Sequence, residues 1–238
     1  MKFGWLLIAG SLILVPSLRA DLYYLDQPAP VSLQHGEFLL SGRLQSGGGV
    51  MARAGVGLFN RITLGISYSV DSLLGSATPR LGPQTIGFQA RLLGVEEGPW
   101  IPAVLAGFES QGYDGYSDSA NRFQTLQPGI YLVMAKTFWA TRTEVSAGAN
   151  YKTGTAPTRL DAHVAVCELY PTDWGFILEY DLARNDPSTS TIPGLLNFGV
   201  TRMLGSSVEV KAGLRDIFSY HKGSGLNRVL DISLQQKF

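Results

Sequence analysis

Apolar and polar side chains take turns along most of this chain. The stretch from Arg61 to Val70 shows it without interruption, with Ile62, Leu64, Ile66, Tyr68 and Val70 on one face and Arg61, Thr63, Gly65, Ser67 and Ser69 on the other. Successive side chains of an extended backbone point to opposite faces, so this is a strand with one apolar and one polar side. The same period recurs in Val208–Arg215, in Phe176–Leu182 and in Leu160–Cys167, where Asp161, His163, Ala165 and Cys167 oppose Leu160, Ala162, Val164 and Val166. Charges of both signs share the polar face.

The pattern predicts about twelve strands, near residues 36–46, 49–59, 61–71, 83–95, 100–111, 127–137, 141–153, 159–168, 173–184, 193–203, 206–216 and 228–238. Each approaches the roughly ten residues that a tilted strand needs to cross a bilayer. An even number returns both ends to one side, as single-chain bacterial barrels require. The fold class that follows is all-β, a transmembrane antiparallel up-and-down barrel over 36–238. Short links at Asn60, 138–140, 169–172 and 204–205 alternate with long ones at 72–82, 112–126, 185–192 and 217–227. Short periplasmic turns and long outward loops give that alternation. Trp100, Trp139 and Trp174 fall at the short turns, while Tyr68, Tyr113, Tyr116, Tyr151, Tyr180 and Tyr220 fall toward the other rim, as two interfacial girdles would. The chain stops on an alternating strand with Phe238 at its end, which resembles the signal read by the barrel-assembly machinery.

The first twenty residues break the pattern. Lys2 precedes an apolar run from Gly4 to Val15, too short to span a bilayer as a helix, and Leu18-Arg19-Ala20 follows with a small residue where a signal peptidase cuts. Residues 1–20 are therefore expected to be a cleaved signal peptide. Residues 21–35 lack the period, and two readings of them stay open: a periplasmic lead-in or a small plug.

Composition changes this picture little. Nineteen basic and nineteen acidic residues leave no net charge, so no basic field recruits nucleic acid. The single cysteine, Cys167, excludes an internal disulfide framework and a cysteine-based zinc site and reads as a buried thiol.

With the apolar faces turned to lipid, the bore receives Glu37, Arg43, Arg53, Arg61, Arg91, Lys136, Glu144, Lys152, Asp161, His163, Glu179, Asp181, Glu209, Lys211, Arg215 and Asp231. These charges either knit a closed interior or line a water-filled path for polar solutes. His35, His163 and His221 show no metal-ligand spacing. Ser219-Tyr220-His221 is the one serine–histidine neighbourhood that suggests a lipid-modifying hydrolase, and it lies in a glycine-rich loop. The acidic and amide residues of 111–122 lack calcium-loop spacing and read as a solvated loop. No catalytic, cofactor-binding or metal-binding residue is expected.

The run Gln27–Phe38 leading into Gly55–Tyr68, together with residues 102–113, resembles outer-membrane barrels of the YjbH-like, exopolysaccharide-associated type. The resemblance implies an outer-membrane location and, for some relatives, a link to exopolysaccharide production; it brings no catalytic residues. The sequence thus predicts a non-enzymatic barrel in lipid and lipopolysaccharide. Its role is a narrow porin-like conduit, with small polar solutes as cargo, or an exopolysaccharide-export partner. A closed structural or adhesive barrel that binds through loops 72–82 and 112–126 is the alternative.

Overall fold

A computed structural model describes residues 21–76, 78–80, 86–117, 121–152, 159–170, 173–186, 194–218 and 227–238. Twelve antiparallel strands close into a barrel: β1 (Glu37–Leu44), β2 (Val50–Leu58), β3 (Ile62–Val70), β4 (Ile86–Val95), β5 (Ala103–Glu109), β8 (Gly129–Phe138), β9 (Thr143–Tyr151), β10 (Leu160–Leu169), β11 (Trp174–Asp181), β12 (Leu195–Leu204), β13 (Val208–Arg215) and β14 (Asn227–Lys237). Between β5 and β8 a separate ribbon forms from β6 (Tyr113–Ser117) and β7 (Arg122–Thr125). Each barrel strand pairs with its neighbours in sequence order, passing over the ribbon, and β1 closes the ring on β14 from Glu37 opposite Lys237 to Leu44 opposite Leu230. Closure leaves no sheet edge, so no strand N–H or C=O is left unpaired in an apolar medium.

The ends of β1 and β14 lie together; we call this the terminal end and the other the loop end. Turns at the terminal end are tight. Phe59 and Asn60 both take positive φ (54° and 60°), and the Arg61 N–H donates to Leu58 O at 3.2 Å. That pair of positive angles is the primed hairpin turn, whose twist matches the flanking strands. Phe238 ends the chain here: its ring stacks on Phe38 at 6.1 Å and its N–H donates to Gly36 O.

Alternation sorts the side chains by medium. Leu40, Leu64, Ile66, Phe88, Leu132, Val164, Leu178 and Ile232 stand exposed on the outer wall. Trp100, Trp139 and Trp174 are exposed toward the terminal end, Trp100 at 93%. A continuous apolar outer wall capped by indoles is stabilised by hydrocarbon around it, not by water.

The bore is filled from two directions. Residues 21–33 fold back inside the cylinder: Leu22, Tyr23, Tyr24, Leu25, Ala29 and Leu33 are all buried, and Tyr23 bridges Pro28 across a turn whose tip is Asp26. From the loop end, β6 and β7 bend inward and bury Tyr113 and Phe123. This corrects the expectation of an outward solvated loop at 112–126, and it removes Tyr113 from the outer aromatic girdle. The cause is Arg215 on the inner wall, which captures Asp114, and Arg53, which donates to the Tyr113 hydroxyl at 2.9 Å.

Candidate functional site: a basic wall and the segment docked on it

Charges on the inner wall are segregated. Arg43 on β1, Arg53 on β2, Arg91 on β4, and Lys211 and Arg215 on β13 form a basic arc, with Asp231, Glu209 and Glu109 as the acids within it. Glu144, Asp161, Glu179 and Asp181 on β9, β10 and β11 face them across the bore, with Lys152 following β9. Register explains part of the basic side, because Arg43, Asp231 and Lys211 are successive partners across β1, β14 and β13.

Residues 21–33 dock between the arcs by main chain as much as side chain. Arg91 Nη1 donates to Leu22 O at 2.8 Å and Ala29 O at 3.2 Å. Lys211 Nζ donates to Tyr23 O (2.7 Å) and Tyr24 O (2.9 Å) and pairs with Asp21 at 2.6 Å. Arg43 reaches Leu25 O (2.9 Å) and Asp26 (2.5 Å), and Arg215 holds the other oxygen of Asp26 at 2.5 Å. On the acidic side, the Glu179 carboxylate accepts the backbone N–H groups of Leu25, Asp26 and Gln27 at 2.6–3.0 Å. Thr63 Oγ1 accepts from Leu33 N–H at 2.8 Å.

Two rings keep the cations apart. Tyr23 lies between the guanidinium groups of Arg53 (4.4 Å) and Arg91 (4.5 Å), and its hydroxyl donates to Glu109 at 2.7 Å. Tyr113 lies under Arg43 at 4.4 Å and near Arg215, and donates to Asp26 O at 3.2 Å. Cations stacked on ring faces are attracted to them, which offsets part of the repulsion of a crowded basic wall. Burial pushes the Asp21 and Asp114 carboxyls up, but Lys211 and Arg215 outweigh it and hold both below their ordinary values.

The wall is shaped to fit. A side chain at Gly57 would meet Gln34 O at 2.0 Å, and one at Gly213 would meet the Leu25 methyls at 2.7 and 2.8 Å. Below the segment, Tyr24, Leu25 and Ala29 pack with Ala165, Cys167, Ile177 and Val229, which puts the lone thiol beneath the docked chain.

The closed barrel has a counterpart among solved structures. The chain aligns with a KdgM porin in complex with disordered oligogalacturonate over 85% of its own length and 99% of the other, at 9% identity and TM-score 0.50. The fold is that of a porin. A second KdgM porin structure aligns over the same shares at 9% identity and TM-score 0.49. No family model and no curated protein matches the sequence.

Of the residues expected in the bore, Arg53, Arg91, Asp161, His163, Glu179, Asp181, Glu209, Lys211 and Arg215 are buried there, and Glu144 is half-buried, accepting from Tyr24 Oη at 2.5 Å. Arg61 is different. Its side chain is 50% exposed in the β2–β3 turn, paired with Glu96 at 3.4 Å, because the tight turn carries it past the rim before the inner face begins. Lys152 joins Asp161, Asp181 and Asp186. Asp114, offered by sequence as part of a solvated loop, is committed to Arg215 and Thr125. Ser219, Tyr220 and His221 lie outside the described residues.

Sequence reasoning missed Asp21, Tyr23 and Asp26, which precede the alternation and carry no period of their own. It also passed over Gln89 and Glu109, buried polar residues whose place on the inner face the period does give.

Proposed function

We propose that the protein is a non-enzymatic outer-membrane conduit of porin type, exported on residues 1–20, and that residues 21–33 hold its bore shut in the conformation described. The observation that carries the reading is a closed barrel with an apolar outer wall and ionisable groups on the inner one. Such a cylinder suits a lipid exterior and a polar path within. The basic arc alone holds five buried cations, each of which costs several kcal/mol to desolvate unless partners are supplied. The cargo class in this proposal is small polar solutes; a neighbour of the same fold holds oligogalacturonate. Its finer form, an exopolysaccharide-export partner of the YjbH-like type, is supported by the resemblance of residues 27–38, 55–68 and 102–113.

The closed adhesive alternative has one observation on its side, the filled bore, and one against it: part of 112–126 is turned inward rather than displayed. Planar-bilayer recording of the refolded full chain separates the two. The conduit reading expects brief, discrete current steps from the full chain and longer openings from Gly57→Ala, whose new methyl group displaces residues 33–34. A correctly folded Gly57→Ala barrel that stays silent would defeat it.

A further inference from the structure

The contacts of residues 21–33 are those a solute would make. Two carboxylates, Asp21 and Asp26, and a series of carbonyl oxygens occupy Lys211, Arg43, Arg215 and Arg91, while backbone N–H groups go to the opposite acid, Glu179. One guanidinium is left half used. Arg91 is 2% exposed and spends only Nη1 on the docked segment; its Nε and Nη2 have no hydrogen-bond partner among the described residues. That edge is the fork that takes both oxygens of a carboxylate. Arg43 and Arg53 likewise have an unpartnered Nε. The Tyr131 hydroxyl is also buried without a hydrogen-bond partner among the described residues, and its ring lies 6.0 Å from the Arg91 guanidinium. The wall therefore offers more oriented donors than the docked chain uses.

We propose that this basic wall is a binding site for small polycarboxylates and that residues 21–33 are its intramolecular occupant, displaced when such a solute binds. The proposal rests on the conduit reading and names its cargo and its gate. The opposed acidic arc fixes which way round the occupant lies, since Glu179 accepts N–H donors and repels carboxylates. Leaving the bore takes Asp21 from Lys211 and Asp26 from Arg43 and Arg215, while Asp231 and Asp114 stay behind. The wall is then two carboxylates short, so departure is coupled to arrival of another anion.

Cys167 reports the event in the unmodified chain, because it is fully buried in the apolar cluster that Tyr24, Leu25 and Ala29 complete. The refolded protein is treated with a water-soluble maleimide in chloride, in citrate at equal ionic strength, and in a neutral sugar. Citrate is expected to speed labelling of Cys167 at least several-fold over chloride, and the sugar to leave it unchanged. Arg91→Gln should weaken the response to citrate. Asp26→Asn should raise the labelling rate without citrate, and Gly57→Ala serves the same end if that variant fails to fold. Equal rates in citrate and chloride, in both the unmodified chain and a loosened variant, would overturn the site. Bilayer recording of the loosened variant keeps the two claims apart. Citrate-dependent labelling without any current defeats the conduit and leaves the site standing. Current without citrate-dependent labelling does the reverse.

Discussion

Glu179 shows how one side chain decides the state of the bore. It is fully buried, sits on the inner face of β11, and accepts three consecutive backbone N–H groups at the tip of the docked segment. A hydrogen bond to a charged group contributes about 1.5–3 kcal/mol, and the bonds here share one carboxylate, so the set is worth roughly 3 kcal/mol rather than the sum. Glu179→Ala should therefore loosen residues 25–27 without unfolding the barrel. Hydrogen exchange of their amides should speed up on the order of a hundredfold, at about 1.4 kcal/mol per decade, while amides of β10 and β11 hold. Unchanged exchange at 25–27 would show that Arg43, Arg215, Tyr113 and the packing hold the main chain without Glu179. That Glu179 faces the bore was legible, because period two gives its side of the strand. What it holds was not, since no local pattern says which distant main chain will arrive. Arg61 marks the limit of the same rule: alternation assigns a face but not a depth, and a residue in a turn belongs to neither face.

At the scale of elements, sequence and structure agree where the period is long and part where it stops. The barrel strands were legible because each carries several turns of the alternation. Residues 21–33 stayed open between a lead-in and a small plug, and the β6–β7 ribbon was not legible. Their burial is set by partners on the wall, Lys211 and Arg215 among them, and neither segment read alone carries a regular alternation that would announce it. The fit between segment and wall can be tested at Gly57, where a methyl group would stand 2.0 Å from Gln34 O and 2.6 Å from the Leu33 carbonyl carbon. Backbone cannot swing aside as a side-chain end can, so Gly57→Ala must move residues 33–34 and break the Leu33 N–H to Thr63 bond. The barrel itself should keep its heat-modifiable mobility in gel electrophoresis, with a midpoint of denaturation within about 1 kcal/mol of the parent. Labelling of Cys167 should rise several-fold. A parent-like labelling rate in a folded Gly57→Ala chain would mean that the segment enters the bore along another line.

For the whole molecule the question is which medium touches the outer wall, since the closed barrel, the bore and its occupant all presuppose hydrocarbon outside. Ile66 stands 57% exposed near the middle of β3, and Leu204 stands 50% exposed at the terminal end of β12. In water these two positions are equivalent surface sites, and an arginine at either would be neutral or would improve solubility. In a bilayer they differ by depth. A lipid-facing arginine costs about 2–4 kcal/mol at the midplane and close to nothing near the interface, where its stem reaches the headgroups. Ile66→Arg should therefore lower stability against urea in lipid vesicles by roughly 2–4 kcal/mol, and Leu204→Arg by less than about 1 kcal/mol. The difference, not either value alone, is diagnostic, because both substitutions share the same change in size and charge. Equal effects at the two sites would mean that no apolar slab surrounds the barrel. The exposed side chains of β3, β4, β8 and β11 would then be a surface for another protein.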